Sequence, residues 1–388
     1  MAALPESGTL AVFVLCATFA IVLVNLASLA VAAVRIGRRG RPSILPPSVP
    51  VSVVRPLRGI EAFSEETLRA SFRLDYPAYE LIFCVADAAD PILPMLERMR
   101  ADHPGIPSRL ILGDERIGGN PKLNNCVRGW EAARHDWVIL ADSNVMMPAD
   151  YIQQMQGAWR RDTGLVCSTP IGDRPDGFFA LVECAFLNTL QARWQYAGEA
   201  LGLGFAQGKS MLWHKPFLEA RGGIRALNAE IAEDAAATKL VRAAGCRVHL
   251  VAAPFRQPLG RRSLGEVWSR QVRWARLRRV TFPLFFAPEI FIGALLPLTL
   301  AAVVVGGTEA SALLAGAGAV WYGAEYGLAV RTGWPRSPRL LLAFLVRDAL
   351  LPAIWASAWA RTAIVWRGNP MDIRTRTPAP LETGPSAA

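Results

Sequence analysis

The sequence predicts an α/β domain with a mostly parallel sheet, set between α-helical segments long and apolar enough to span a membrane. Three observations lead there. Between residues 51 and 251, short apolar runs alternate with helix-like stretches, the pattern of strands buried on both faces of a parallel sheet. Two of these runs, LIFCVA and WVILA, end directly in an aspartate, Asp87 and Asp142, at the position where parallel sheets collect ligands. Finally, Thr9 to Val34 runs 26 residues without a charge, more than the roughly 20 that cross a bilayer.

The composition agrees. The chain has 388 residues, of which 52% are hydrophobic and 19% charged, and a formal net charge of +10. This is richer in apolar residues than a purely soluble enzyme. The basic excess suits anionic lipid on a cytoplasmic face. No nucleic-acid-binding signature accompanies it, so nucleic acid is not expected as a partner. The six cysteines form no CxxC pair and the four histidines no HExxH. Buried free thiols in a reducing compartment and no zinc site are the expectation.

Taken in order, the first apolar run is followed by Arg35, Arg38, Arg39 and Arg41. A cleaved signal peptide has its basic residues before a shorter apolar core. The reversed order predicts a retained anchor with its C-terminal end in the cytoplasm. Residues 42–50, PSILPPSVP, read as a linker. Val51–Arg55 is a strand ending at Pro56. Ser64–Leu74 is a helix with Ser64 as its cap and Glu65 and Glu66 in the first turn. Leu81–Ala86 is a strand. Asp90 caps the next helix, with Pro91 at its first position. Arg109–Leu112 and Trp137–Ala141 are strands on either side of a helix over Pro121–Arg134. Leu165–Ser168 is a strand, Phe178–Tyr196 one long helix and Glu230–Ala244 a helix, followed by a strand over Cys246–Val251. Ser263–Val280 is a basic helix with Trp268 and Trp274, suited to a membrane interface. Three apolar stretches follow. Leu284–Val305 is interrupted early by Pro288 and Glu289. Ala310–Val330 carries Glu325. Leu340–Trp366 is broken by Arg347, Asp348 and Pro352, and so is open to a full span or to a kinked or re-entrant segment. The expected organisation is an anchor with basic flank over 1–41, a cytosolic catalytic domain over 42–262, an interface helix over 263–283, transmembrane helices over 284–370 and a polar tail over 371–388.

The motifs point to handling of a nucleotide diphosphate. A diphosphate leaving group needs its growing charge offset by a divalent cation, by Arg or Lys, or by helix N-termini. Neither a Walker loop nor GxGxxG is present, so a cation held by carboxylate is the simplest alternative. Asp142-Ser143-Asn144 offers two oxygen side chains two residues apart, suited to magnesium or manganese. Lys122, early in the helix after Gly118-Gly119-Asn120-Pro121, either meets the nucleotide's ribose or phosphate or is a solvated helix-start lysine. Asp234 is the candidate general base, with Glu233 and more weakly Glu230 as rivals. In Gln271-Val272-Arg273-Trp274, Arg273 could reach the diphosphate and Trp274 shape the acceptor end; membrane anchoring alone would explain the segment equally.

In order along residues 51–280, VSVVRPLRG, RLDYPAYELIFCVADAADP, GGNPKLNN, ADSN, IAEDAAATK and SRQVRWARLRR resemble the ceramide glucosyltransferase family. The resemblance implies a GT-A fold, a Rossmann-like arrangement, with UDP-glucose as donor and ceramide as acceptor. It also implies inversion to a β-glucosyl lipid and a requirement for Mg²⁺ or Mn²⁺. It implies that Asp87 contacts the uridine, that Asp142 serves the metal and diphosphate, and that Asp234 is the base. Arg55 and Pro56 would line the nucleotide pocket, and Gln271, Arg273 and Trp274 would form the Gln-x-x-Arg-Trp element. Gly208, in FAQGKSML, would lie beside the acceptor. Two departures stand out. Asn144 replaces an acid at the second metal-motif position, and Gln191 lies near a His of the animal members.

The high alanine and arginine content suits a bacterial source, and hence an inner membrane with the catalytic part in the cytoplasm. The related reaction to weigh moves glucose or N-acetylglucosamine to a hopanoid or glycerolipid. A processive polysaccharide synthase also carries Gln-x-x-Arg-Trp but needs a larger helical bundle. A membrane-anchored binding protein with a dead site would not need all three acids. Nothing in the sequence fixes the oligomeric state.

Overall fold

The computed structural model describes residues 6–37, 45, 48–361, 363–366 and 369–372. Most of the expected linker, the basic flank beyond Arg35 and the tail from residue 373 lie outside the described residues. The chain forms two compact units, each drawn from separate stretches. One comprises residues 39–170, 201–258 and 363–388, the other residues 1–38, 171–200 and 259–362.

The first unit is built on a seven-stranded sheet. Its elements begin with β1 (Val51–Leu57), α2 (Ser64–Ser71), β2 (Tyr79–Val85), α3 (Leu93–Asp102), β3 (Ser108–Leu112), α4 (Pro121–Ala132), β4 (Trp137–Ala141), α5 (Tyr151–Gly157) and β5 (Thr163–Ser168); α1 and β6 belong to the other unit and are described below. After residue 200 come β7 (Ser210–His214), α8 (Lys215–Glu219), a 3₁₀ turn over Gly223–Ala229, α9 (Glu233–Ala243) and β8 (Arg247–Leu250). The strand order is β3-β2-β1-β4-β7-β5-β8. Strands β3, β2, β1 and β4 run parallel, as do β5 and β8, while β7 lies antiparallel between β4 and β5. This is the mostly parallel α/β sheet that the sequence predicts.

All seven residues of β1 and of β2 are buried, as strands covered on both faces must be. Pro56 is tolerated inside β1 because the pairing with β4 stops at Val54, so no ladder bond is lost on that side. Helix α4 lies hard against these strands: a Cβ on Gly129 would stand 2.4 Å from Cys84 Sγ and 2.7 Å from Val54 Cγ1. A glycine mid-helix, normally a cost, is what permits that approach. All six cysteines are free.

Some boundaries differ from the sequence reading for local reasons. Ser64 is inside α2, with Phe63 at the cap, and its hydroxyl accepts the Glu61 N–H at 2.7 Å. The helix stops at Ser71 rather than Leu74. Helix α3 starts at Leu93, after a turn at Asp90, whose carboxylate accepts the N–H groups of Ile92 and Gly59 and so joins two loops. The helix read from Glu230 begins at Glu233.

The second unit is helical. It contains α1 (Glu6–Arg35), β6 (Ile171–Asp176), α6 (Phe178–Cys184), a π-helical stretch over Ala185–Ala192, and α7 (Arg193–Ala200). After β9 (Arg256–Arg261), the strand in which the chain enters the unit again, come α10 (Leu264–Thr281), α11 (Pro283–Phe286), a 3₁₀ turn over Ala287–Phe291, α12 (Leu295–Val305), α13 (Gly307–Thr332) and α14 (Arg339–Ala360). A short hairpin, β10 (Ala363–Trp366) and β11 (Asn369–Asp372), follows in sequence and belongs to the sheet-bearing unit. The single helix expected over 178–196 is thus three segments with a π-helical middle. Helix α10 opens with a capping box between Ser263 and Glu266, worth about 0.5–2 kcal/mol.

Two helices, Gly8–Arg35 and Arg339–Ala360, are long and apolar enough to cross a membrane. Pro283–Phe291 and Leu295–Val305, bent by 51°, make a third if they form one span. Helix α13 has 26 residues but is not among these candidates, although the sequence reading took Ala310–Val330 as a span. Helix α14 continues through Pro352, and its charges do not break it because they are paired inside the unit. Arg347 meets Glu325 at 2.8 Å and Asp348 at 2.7 Å, and Arg193 meets Glu325 at 3.3 Å. The second Asp348 oxygen accepts from Ala294 N–H and from the Tyr322 hydroxyl. A balanced, hydrogen-bonded group of this kind is what makes buried charge tolerable.

Candidate active site

The site is assembled where parallel strands end. Because β2, β1 and β4 run the same way, Asp87, after β2, and Asp142, after β4, lie at one edge of the sheet. Asp87 is exposed, and its carboxylate accepts the Ala89 N–H at 2.8 Å in a tight turn.

Asp142 is half-buried and holds two ammonium groups. Lys122 meets its Oδ1 at 2.6 Å and Lys209 its Oδ2 at 2.8 Å. The second contact follows from strand register. Ala141 pairs with Ser210 across the antiparallel ladder, and the Asp142 N–H donates to the Lys209 carbonyl at 3.0 Å. Facing residues on such a ladder share a face. Lys209 also donates to Asn144 Oδ1 at 3.1 Å. Burial opposes ionisation of Asp142, but the two ammoniums outweigh it and hold the carboxyl well below the usual range.

Lys122 is no solvated helix-start lysine. Asn120 caps α4 by accepting the N–H groups of Lys122 and Leu123, each at 3.0 Å. That fixes the lysine's direction, and its ammonium also pairs with Glu233 Oε1 at 2.7 Å and donates to the Gly208 carbonyl. Asn120 Nδ2 donates to the other Glu233 oxygen at 2.7 Å. Burial lowers the Lys122 pKa less than Asp142 and Glu233 raise it, so the net shift is upward.

Asp234, in the first turn of α9, accepts the Gly208 N–H at 3.0 Å and the Ala235 N–H at 2.8 Å. Burial and the neighbouring Glu233 charge push its carboxyl up to about 7, against the opposing pull of Lys122 and these N–H groups. A base poised near neutrality is what proton abstraction at physiological pH requires. Gly208 is the joint of the cluster: a Cβ there would lie 2.5 Å from Glu233 Oε1 and 2.9 Å from Lys122 Nζ.

Arg55 is fully buried beneath the Asp142 loop. Its guanidinium donates to the Asp142 and Ser143 carbonyls at 3.0 and 2.8 Å, to the Thr67 carbonyl at 2.7 Å and to Ser71 Oγ. Burial draws its pKa down to about 10, which leaves it charged. It therefore bears on the site by fixing the loop, and buried Pro56 follows it in β1. Gln271, Arg273 and Trp274 are on α10 in the helical unit. Gln271 is buried and accepts from Gln191 at 3.1 Å, and Trp274 packs on Cys184, Leu187 and Leu259.

As to a divalent cation, no group of three or more His, Cys, Asp or Glu that could hold a metal exists among the described residues. Asp142 and Asn144 nevertheless converge on one cationic group, the Lys209 ammonium. Two hard oxygens suit magnesium or manganese, which usually take one or two protein ligands and complete their shell with water and phosphate oxygens. The residues present fit such an ion.

The profile of glycosyl transferase family 21 matches residues 12–379. The chain belongs to this family. Ceramide glucosyltransferase 1 of Caenorhabditis elegans is 29% identical over 240 residues, covering 61% of this chain and 52% of that protein. Ceramide glucosyltransferase 3 of the same organism is 25% identical over 330 residues, covering 82% and 72%. The family-21 chain thus spans about half the length of the first relative. Among solved structures, mannosyltransferase PcManGT from Pyrobaculum calidifontis, in complex with GDP-Man and Mn²⁺, superposes with a TM-score of 0.52 at 17% identity, over 88% of this chain and 99% of that one. This likeness establishes the GT-A fold. With its apolar helices, the family-21 chain is a membrane protein.

Sequence reasoning missed Lys209. Its only signal is the Gly-Lys-Ser of FAQGKSML, and only the β4–β7 register reveals that this lysine faces Asp142.

Proposed function

We propose that this membrane protein is an inverting glycosyltransferase that moves glucose from UDP-glucose to ceramide, giving a β-glucosyl lipid. The observation that carries the reading is the cluster at the sheet's ligand-binding edge, where Asp234 is joined through Gly208 and Lys122 to Asp142 and its carboxyl is pushed up by burial and the Glu233 charge. Family membership and the ceramide glucosyltransferase relatives support the substrate pair.

In this reading Asp87 meets the uridine, and Arg55 and Pro56 line the nucleotide pocket, Arg55 by holding the Asp142 loop. Asp142 and Asn144 would hold a magnesium or manganese ion, which when bound would neutralise charge on the diphosphate. Lys122 adds a fixed cation on the same side. Asp234 takes the proton from the primary hydroxyl of the acceptor. The freed oxygen attacks the anomeric carbon from the face opposite the diphosphate, the carbon–oxygen bond to the diphosphate breaks, and UDP leaves with the bonding pair. One displacement inverts the centre, so a single base suffices. Gln271, Arg273 and Trp274 are assigned to the diphosphate and acceptor end. The catalytic unit is assigned to the cytoplasmic side, in a bacterial inner membrane, with the segment boundaries set out from the sequence.

The test is transfer by purified protein in lipid discs from UDP-glucose to ceramide, with EDTA or added Mn²⁺. A single β-glucosyl product that disappears with EDTA supports donor, acceptor and metal together. UDP release without ceramide product moves the acceptor to hopanoids or glycerolipids. No UDP release with any sugar nucleotide and lipid would leave a binding protein.

A further inference from the structure

Lys209 has been given no part in the reaction, yet its ammonium spans the two oxygens on which the metal assignment rests: Asp142 Oδ2 at 2.8 Å and Asn144 Oδ1 at 3.1 Å. Its position is not accidental to a loose side chain. Its backbone carbonyl is bonded to Asp142, one step beyond the Ala141–Ser210 pair, so the lysine is carried to this point by the sheet. Lys122 differs, since it takes the other Asp142 oxygen and is anchored by Glu233. The carboxylates of Asp142 and Glu233 already face two ammoniums, so this part of the site is balanced without a metal.

We propose that Lys209 is a built-in competitor for the divalent cation. In the nucleotide-free protein its ammonium holds Asp142 and Asn144, and it gives them up when the cation arrives with the diphosphate. The inference rests on the metal-dependent reading above. A magnesium ion bonds oxygen at about 2.0–2.1 Å, so a dication seated between these same two oxygens would stand close to the Lys209 ammonium, and repulsion between the like charges drives the ammonium off. A bare cation must therefore displace Lys209 unaided, whereas a cation accompanied by a diphosphate offers the displaced ammonium a new anion. Nucleotide and metal then favour each other's binding, and the coupling is reciprocal.

The experiment is a Mn²⁺ titration followed by electron paramagnetic resonance, on the full chain in lipid discs, with and without UDP. Wild type is compared with Lys209→Met and Lys209→Gln, each checked for folding by thermal unfolding. Without UDP, the variants are expected to bind Mn²⁺ at least tenfold tighter than wild type. UDP should raise the Mn²⁺ affinity of wild type by a larger factor than that of either variant. Adding Asp142→Asn to Lys209→Gln should abolish the gained binding. Unchanged or weaker Mn²⁺ binding by the folded variants, while wild type binds Mn²⁺ with UDP, overturns the role of Lys209 alone. Retention of the gained binding in the double variant overturns it too, since the metal would then sit elsewhere. No Mn²⁺ binding by any form, even with UDP, removes the metal-dependent reading and the competitor with it. Should both variants fail to fold, wild type still decides: Mn²⁺ affinity unaltered by UDP overturns the proposal.

Discussion

Asp234 is held between opposing influences, since its place in the first turn of α9 favours the charged form while burial and Glu233 oppose it. With the carboxyl raised to about 7, it carries its proton below that pH and cannot accept one. The transfer rate is therefore expected to rise with pH through about 7 and then level off. Glu233→Gln should move this limb to lower pH, as a pH–rate profile would show. Asp234→Asn should cost about 10²–10⁴-fold in rate with UDP binding nearly intact by calorimetry; lost binding would make Asp234 a donor ligand instead. The linkage has a definite sign: a carboxyl raised on folding contributes stability that is present below its unfolded pKa and is lost as pH rises through 7. Asp234→Asn should thus gain in unfolding temperature relative to wild type at pH 8, and the gap should close toward pH 5. Asp142→Ala should weaken metal-dependent UDP binding, and unchanged metal dependence would remove that assignment. Gly208→Ala drives a Cβ into the Lys122–Glu233 pair and should cost about 1–3 kcal/mol and most of the activity. That Asp87 and Asp142 follow strands and Asp234 lies on a helix was legible, because the residues around them read as strand or helix. Lys209 and the joint at Gly208 were not, because both depend on a pairing across 67 residues of chain, between Asp142 and Lys209.

Helix α4 shows how an element delivers a side chain. Asn120 fixes where it starts, and Gly129 fixes how closely it lies on β1 and β2. Asn120→Ala removes the cap and the bond to Glu233, and a loss of about 1–2 kcal/mol is expected. Gly129→Ala should cost a further 1–3 kcal/mol or so, read as a lower unfolding temperature. The elements themselves were largely readable. Trp137–Ala141 is found where the sequence placed it, because an unbroken apolar run bounded by polar residues has one sensible reading. The π-helical stretch over Ala185–Ala192 was not readable. It keeps helical periodicity to within a residue, and nothing in AFLNTLQA marks a change of hydrogen-bond partner. The antiparallel placement of β7 was equally hidden, since strand direction is set by partners remote in sequence.

On the scale of the whole molecule, the helical unit is organised around charge. Arg193, Arg347 and Glu325 are fully excluded from solvent. Arg347→Met should cost about 3–5 kcal/mol, because Glu325 and Asp348 would be left undercompensated. Folded yield in detergent measures this, and adding Glu325→Gln and Asp348→Asn should restore part of it. The sequence marks Arg347, Asp348 and Glu325 as charges inside apolar stretches and lets Arg347 pair with its neighbour Asp348, but it gives no sign that Glu325 on α13 joins Arg347 on α14 to Arg193 on α7. Neither unit is a continuous piece of chain, for the sheet-bearing unit and the helical unit are each interrupted by the other. The Thr18 hydroxyl on α1 donates to the Pro297 carbonyl, 279 residues later. At roughly 5–20 residues per second of synthesis, α1 leaves the ribosome about 15–60 s before the helix it finally packs against exists. The first helix must therefore wait with Thr18 and Asn25 unmet by their final partners, Pro297 and Arg193, so an isolated N-terminal fragment would expose polar groups that the full chain covers.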